Sequence, residues 1–142
     1  MTALDSSVII AALLAWHESH AAAAAAVTRA LGSDQGVLVP AHALLESYAV
    51  LTRLPPPHRL SPAAALTLLQ ENFKEVRLAP FSVREVWPLL RRLSLQELGG
   101  GITYDALIVE SAKEARATSL LTLNPRDFER LDSGIDVISP KS

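Results

Sequence analysis

Short apolar runs alternate along the chain with longer segments of helical periodicity, and this alternation predicts βαβ units. We interpret as strands the runs at residues 2–5, 36–40, 75–79, 119–122 and 135–138. Strands as apolar as these are usually covered on both faces by helices. The pattern therefore predicts an α/β fold, namely a three-layer α/β/α sandwich with a parallel five-stranded sheet.

Capping residues, glycines and prolines mark the ends of the predicted helices. The clearest start signal is Ser61 followed by Pro62, because serine caps a helix and proline fits its first position. Gly32, the glycines at 99–101 and the prolines at 55–57 end helices. We predict helices at residues 6–14, 17–31, 41–53, 61–73, 82–98 and 103–115, with a further helix start at Asn124.

The composition is that of an ordinary globular protein. The 142 residues are 49% hydrophobic, which suits one domain that spans residues 1–142. There is no cysteine, and this excludes disulfides and thiolate metal ligands. The sequence starts without a basic leader and has no uncharged apolar stretch of about 18 residues, so we expect a cytoplasmic protein without a membrane span.

The charge balance argues against a protein that binds nucleic acid mainly through phosphate contacts. The formal net charge is −2, whereas such proteins usually have a strong basic excess. An enzyme with acidic metal ligands in one cleft and basic residues around it stays compatible with this charge. If RNA binds, the first candidates for phosphate contacts are Arg53, Arg59, Arg91 and Arg92, although such groups are usually solvated surface charge.

Two carboxylates occupy positions that have more than one explanation. Asp5 ends the first predicted strand, where it would either cap the next helix or point into the crevice at the carboxyl end of the sheet. Glu46 lies in the largely apolar predicted helix at residues 41–53. It is either a partly exposed surface residue or a functional acid. Both pairs of alternatives stay open on these residues alone.

Asp105 is the most informative acid in the chain. It lies in the first turn of a predicted helix, where the helix dipole favours acids. However, Ile108 and Val109 follow one turn later on the same face, so the carboxylate begins an apolar stripe. A buried carboxylate needs a partner, and no opposite charge lies within one turn of it. Asp127 has a simpler explanation, because Asn124 and Pro125 before it form a helix-capping sequence.

Four segments combine acids with apolar residues, namely Leu4-Asp5-Ser6-Ser7-Val8-Ile9, Ala43-Leu44-Leu45-Glu46-Ser47-Tyr48, Thr103-Tyr104-Asp105-Ala106-Leu107-Ile108 and Leu121-Thr122-Leu123-Asn124-Pro125-Arg126-Asp127-Phe128. Together they resemble the PIN-domain family, specifically its VapC-like toxins. Each segment alone is a weak signal, but their order and spacing match the family over nearly the whole chain. The resemblance implies a sheet order of 3-2-1-4-5 and metal-coordinating roles for Asp5, Glu46 and Asp105.

The resemblance leaves the fourth acid open. The family often has an acid just after strand four, where this chain has Asn124, and Asp127 follows one helical turn later. We favour Asp127 as the fourth metal ligand and Asn124 as a neighbour that holds water or caps the helix. Ser7 and Thr122, which lie within the matching segments, are expected to support the site together with Asn124.

The chemistry of such a site follows from its charges. Carboxylates that share a pocket repel one another, and a hard divalent cation such as Mg²⁺ or Mn²⁺ removes that penalty. The resemblance thus implies a Mg²⁺- or Mn²⁺-dependent endoribonuclease, the toxin of a toxin–antitoxin pair, with RNA as substrate. Glu46 would also accept a proton from the attacking water. The family further implies a homodimer and a small antitoxin, for which residues 41–53 and 61–73 offer apolar helices.

Three other functions agree with parts of the sequence. A phosphatase of the haloacid-dehalogenase type with Asp5 as nucleophile needs an aspartate at the position of Ser7. A receiver domain needs paired acids before the first strand and a lysine near the last, and the chain has neither. The main alternative is a catalytically inactive PIN-like module that only binds partners, and the asparagine at position 124 and the acidic net charge favour it.

Overall fold

The structure, a computed structural model, describes residues 1–140 and is built around a five-stranded sheet. The strands are β1 (Thr2–Leu4), β2 (Val37–Pro40), β3 (Arg77–Ala79), β4 (Ser119–Leu121) and β5 (Asp136–Ile138). All neighbours pair in parallel, in the order β3-β2-β1-β4-β5. This confirms the predicted α/β class and the sheet order that the resemblance implied.

The three central strands are enclosed on both faces. Every residue of β2 and β4 is buried, and so are the last two residues of β1, whereas β3 and β5 at the edges of the sheet are more exposed. Consecutive side chains of a strand point to opposite faces of the sheet, so strands in which all residues are buried need helices above and below them. The continuous apolar runs in the sequence reflect this enclosure, as expected for a three-layer sandwich.

Helices connect the strands and cover the sheet. Within residues 1–140 the α-helices are α1 (Ser6–Leu13), α2 (His20–Leu31), α3 (Ala41–Leu51), α4 (Pro62–Phe73), α5 (Val86–Leu95), α6 (Ile102–Glu114) and α7 (Pro125–Glu129). α1 packs against α2 and α3, α3 also contacts α4 and α6, and α6 contacts α5 and α7. None of the helices in this range is long and apolar enough to cross a membrane.

The start of α4 is formed as the sequence predicts. The Ser61 side chain accepts a hydrogen bond from the Ala64 backbone N–H at 3.1 Å, and Pro62 occupies the first helical position. The start of α2 differs, because the helix begins at His20 and not at residue 17. The Nδ1 atom of His17 accepts the Ser19 N–H at 3.0 Å, and this local bond favours a turn over a helix.

The predicted helix at residues 82–98 is shorter and begins differently. A 3₁₀ turn (Val83–Glu85) comes first, and α5 ends at Leu95. Glu97 then takes a left-handed conformation with φ of 58°, and the Leu98 N–H donates to the Leu93 carbonyl at 2.9 Å. This closing pattern is a common helix terminus that usually uses glycine at the left-handed position. The absence of glycine at position 97 explains why the sequence did not reveal this end.

Candidate metal centre

The candidate site lies where β1 and β4 end side by side. Leu4 pairs with Leu121 in the parallel ladder, and the Asp5 N–H donates to the Leu121 carbonyl at 3.0 Å. Asp5 and Thr122 are therefore the first residues beyond two adjacent strands. In open α/β sheets this carboxyl edge is where ligands bind. The register of the sheet thus brings two polar side chains together from distant parts of the sequence.

Asp5 is nearly fully buried and is held by two hydroxyl groups. Its Oδ2 atom accepts hydrogen bonds from Ser7 Oγ at 2.7 Å and from Thr122 Oγ1 at 2.8 Å. Asp5 is also the N-cap residue of α1, but its side chain makes no capping hydrogen bond. Burial raises the pKa of Asp5, while these hydrogen bonds oppose that rise. The carboxylate is therefore oriented by its neighbours and does not act as an ordinary helix cap.

The same hydroxyl groups also fix the chain after β4. The Leu123 N–H donates to Ser7 Oγ at 3.0 Å, and the Asn124 N–H donates to Thr122 Oγ1 at 3.0 Å. The turn that leads into α7 is thereby tied to the start of α1. Ser7 and Thr122, the two hydroxyl residues predicted to support the site, both contact Asp5 directly.

Glu46 reaches the site from α3. Ser6 Oγ donates a hydrogen bond to Glu46 Oε1, which connects the first residue of α1 to the middle of α3. On the other oxygen, Glu46 Oε2 lies 4.0 Å from His42 Nε2. The Glu46 side chain is about one third exposed, so it is neither a buried core group nor a fully solvated one. The link to Ser6 was not predicted, because nothing in the local sequence relates residues 40 positions apart.

Asp105 is affected by burial and by the charges of other acids. It lies in the first turn of α6 and is about half-buried. Burial, followed by the negative charges of Asp5, Asp127 and Glu46, raises its pKa from the ordinary value of 3.8 to about 7. Three carboxylates from separate segments therefore lie close enough to act on this group. The charges of Asp5, Glu46 and Asp127 thus act on Asp105, and joint metal ligation by these four acids stays a prediction.

Asn124 and Asp127, the two candidates for the fourth metal ligand, both lie at the start of α7. Asn124 is exposed and precedes α7 as its N-cap, although its side chain makes no capping hydrogen bond. Asp127 is also exposed, but its charge acts on Asp105. Asn124 is uncharged and can have no such effect, so the choice of Asp127 as the fourth metal ligand stays a prediction.

The acids do not form a closed ligand set as they stand. Among the residues that the structure describes, no three histidine, aspartate or glutamate side chains lie close enough together to enclose a metal ion. The donors nevertheless have the chemistry that Mg²⁺ and Mn²⁺ prefer, since all are carboxylate oxygens. The residues present therefore fit a divalent cation, and ligation would require side-chain movement.

The four candidate arginines lie on the surface, and two of them have local partners. Arg92 on α5 pairs with Glu110 on α6 at 2.9 Å, and Arg59 Nε donates to the Leu54 carbonyl at 2.8 Å. Arg53 and Arg91 are exposed. All four arginines are therefore exposed surface charges, and a phosphate contact by any of them stays a prediction.

Comparison with known proteins agrees with this architecture. The family model of the PIN domain matches residues 2–134. The chain therefore belongs to the PIN-domain family. It is 39% identical over 142 residues to ribonuclease VapC40 of Mycobacterium tuberculosis (strain CDC 1551 / Oshkosh), an alignment covering 98% of this chain and 100% of the relative. It is 41% identical over 115 residues to ribonuclease VapC27 of M. tuberculosis H37Rv, covering 81% of this chain and 79% of the relative.

Solved structures share the fold at low sequence identity. VapBC from Salmonella typhimurium, bound to DNA, gives a TM-score of 0.72 at 16% identity and covers 98% of this chain and 97% of that chain. FitAcB from Neisseria gonorrhoeae gives 0.70 at 17% identity, with 99% and 98% covered. VapC20 from M. tuberculosis, a toxin that cleaves the sarcin–ricin loop, gives 0.66 at 16% identity, with 84% and 87% covered.

Proposed function

We propose that this chain is a metal-dependent endoribonuclease of the VapC type and the toxin of a toxin–antitoxin pair. Its kinship with the VapC ribonucleases supports the class of reaction. The observation that carries the metal dependence is the environment of Asp105, a half-buried carboxylate whose neighbouring charges are Asp5, Asp127 and Glu46. Such a cluster is unfavourable by itself and becomes favourable when a divalent cation neutralises it.

In this proposal each acid has a distinct task. Asp5 and Asp105 are direct metal ligands, and Asp5 is kept in position by Ser7 and Thr122. A bound Mg²⁺ or Mn²⁺ would neutralise negative charge on the scissile phosphate and lower the pKa of water. Glu46, held by Ser6, accepts the proton that the attacking water loses. Asp127 completes the ligand set from α7.

Cleavage of RNA by the purified protein tests this function. We expect cleavage with Mg²⁺ or Mn²⁺, no cleavage with chelator, and loss of cleavage by at least about 100-fold in Asp105→Asn. The matched control is Asp34→Asn, the same chemical change at an exposed acid. Asp34 lies just before β2, at the amino ends of the strands and not at the carboxyl ends where the site lies. Circular dichroism establishes that both variants fold. Metal-independent cleavage, or an unaffected Asp105→Asn variant, would contradict the mechanism.

We also propose a small antitoxin partner and a homodimer. The fold is shared with proteins solved as VapBC and FitAcB assemblies. In this chain α3, α4 and β3 carry exposed leucines, namely Leu45 at 68%, Leu66 at 51% and Leu78 at 46% exposure. Apolar surface of this kind is typical of protein interfaces.

Charge insertion tests these assemblies. We expect Leu66→Glu to weaken the homodimer or the complex with the antitoxin, measured by analytical ultracentrifugation with and without the antitoxin. Leu95→Glu is the control, because Leu95 is 85% exposed at the end of α5. If the variant at position 66 assembles like the control, this surface is not an interface.

A further inference from the structure

An aromatic pair connects α3 and α6, the two helices that carry Glu46 and Asp105. The rings of His42 and Tyr104 are parallel within 5°, with centroids 5.2 Å apart. His42 precedes Glu46 by one turn on α3, and its Nε2 atom lies 4.0 Å from Glu46 Oε2. Tyr104 directly precedes Asp105 on α6. The pair therefore forms part of the rim of the candidate metal centre.

The pair presents aromatic surface to solvent. Tyr104 is 54% exposed, and the His42 side chain is 29% exposed. The stacked imidazole supports the tyrosine ring, so this exposed group is held by a neighbour on another helix. A supported and half-exposed aromatic ring is suited to stacking against a flat partner.

The electrostatics of the site favour an uncharged contact with RNA. The acids that act on Asp105 are Asp5, Glu46 and Asp127. A bound Mg²⁺ or Mn²⁺ would offset two of the four negative charges of this group, so the site stays acidic, and the protein has a formal net charge of −2. Phosphate contacts alone are therefore a poor source of affinity here. Nucleobases, in contrast, stack on aromatic side chains without any need for positive charge.

We propose that Tyr104, supported by His42, is a stacking platform for one nucleobase of a single-stranded RNA substrate next to the bond that is cut. The platform requires an unpaired base, because bases inside a duplex are not accessible to stacking by side chains. This inference rests on the proposed ribonuclease function and adds a substrate contact to it.

Steady-state cleavage of a single-stranded RNA measures the contribution of the platform. We expect Tyr104→Phe to keep kcat/KM, and Tyr104→Ala to lower it by about tenfold, mainly through KM, the size of one lost stack. Tyr104→Leu separates stacking from apolar contact and should resemble the alanine variant. Because the ring is uncharged, the dependence of KM on salt should have the same slope in Tyr104→Ala as in the wild type.

The matched control is Trp87→Ala, which removes another exposed aromatic ring. Trp87 is 70% exposed in the first turn of α5. The ion pairs Arg84–Glu114 and Arg92–Glu110 show that α5 runs antiparallel to α6. Trp87 therefore lies toward the end of α6 that is remote from Asp105, and its loss should leave kcat/KM unchanged.

A spectroscopic readout tests stacking without relying on activity. A short RNA that contains 2-aminopurine loses fluorescence when this base stacks, and an Asp105→Asn background keeps the RNA intact. We expect quenching in that background with Tyr104 or Phe at position 104, and little quenching with Ala. Equal quenching in the Phe and Ala variants, or no quenching in the Asp105→Asn parent, would overturn the platform.

The outcomes separate this inference from the proposed function. If the wild type cuts no RNA with any divalent cation, the ribonuclease function itself is wrong. If the wild type cuts RNA and Tyr104→Ala is equally efficient, only the platform is wrong. A variant that cuts RNA normally but no longer binds the antitoxin would assign Tyr104 to a protein interface and would also overturn the platform.

Discussion

At the scale of single residues, the site depends on how a few polar groups are buried. Asp5 is nearly inaccessible to solvent and accepts hydrogen bonds from Ser7 and Thr122, whereas Asp105 is half-buried with acids as its charged neighbours. Hydrogen bonds to a carboxylate stabilise its charged form, while burial and like charges disfavour it. Burial thus raises the pKa of both aspartates. Hydrogen bonds oppose this rise in Asp5, whereas neighbouring negative charges add to it in Asp105.

Thr122→Val tests the support of Asp5. The substitution keeps the shape of the side chain and removes a hydroxyl that donates to a buried carboxylate at 2.8 Å. We expect a loss of about 1–3 kcal/mol in the free energy of unfolding, because the buried carboxylate loses one of the two hydroxyl donors to its Oδ2 atom. Thr118→Val, at an exposed position just before β4, is the control in the same urea denaturation series. Equal stabilities of the two variants would show that the bond does not hold Asp5.

The pKa of Asp105 predicts how the stability of the metal-free protein depends on pH. Its pKa is about 7 in the folded protein and near 3.8 in the unfolded chain, so the folded state binds the additional proton. Stability therefore falls as the pH rises from about 4 to above 7. We expect a lower melting temperature at pH 7.5 than at pH 5.5 in the presence of chelator. Asp105→Asn should melt higher than the wild type at pH 7.5 and show a weaker pH dependence.

Asp5 should cause the pH dependence of stability that remains in Asp105→Asn. Burial also raises the pKa of Asp5, and this acts in the same direction. The Asp34→Asn variant should follow the wild type across the same pH range, because Asp34 lies on an exposed loop. A wild-type protein that is more stable at pH 7.5 than at pH 5.5 without metal would contradict the described environment of Asp105.

At the scale of elements, local signals predicted most of the fold. The Ser61–Pro62 start of α4 and the continuous apolar strands β2 and β4 are formed as expected, because caps and burial patterns are encoded within a few residues. The start of α2 and the end of α5 were misplaced. They depend on the His17 ring and on a left-handed Glu97, neither of which has a strong sequence signature.

The candidate site was only partly predictable, for a related reason. Asp5, Asp105 and Asp127 could be singled out by their positions at strand and helix ends. Glu46 stood out within a largely apolar helix, and the family resemblance connected the four acids. The contacts that join the elements are different, since the Ser6–Glu46 bond and the His42–Tyr104 stack each combine residues from separate helices. Such pairs are set by tertiary packing and leave no periodic pattern in the sequence.

Ser61→Ala tests the cap at the start of α4. The Ser61 side chain accepts the Ala64 N–H, and its loss should lower the free energy of unfolding by about 1 kcal/mol. Ser82→Ala is a matched control, because Ser82 precedes the 3₁₀ turn without a side-chain capping bond. Urea denaturation of both variants measures the difference. If both lose the same stability, the cap of α4 does not contribute as described.

At the scale of the whole molecule, the parallel sheet brings residues from distant sequence segments to the carboxyl ends of its central strands. The strand order places β1 beside β4, so Asp5 meets Thr122, while α3 and α6 bring Glu46 and Asp105 from the helical layers. The cost of gathering these charges is offset when a cation binds. Metal binding should therefore stabilise the folded protein and release protons, because ligating carboxylates are deprotonated.

Calorimetric titration of the protein with Mn²⁺ tests this central claim most directly. At pH 6.5, in two buffers with different ionisation enthalpies, the wild type should bind Mn²⁺ and release protons, because Asp105 with its pKa of about 7 is partly protonated there. Asp105→Asn should bind at least about tenfold more weakly and release fewer protons, while Asp34→Asn behaves like the wild type. Absence of Mn²⁺ binding by the wild type, or equal binding by Asp105→Asn, would contradict the account.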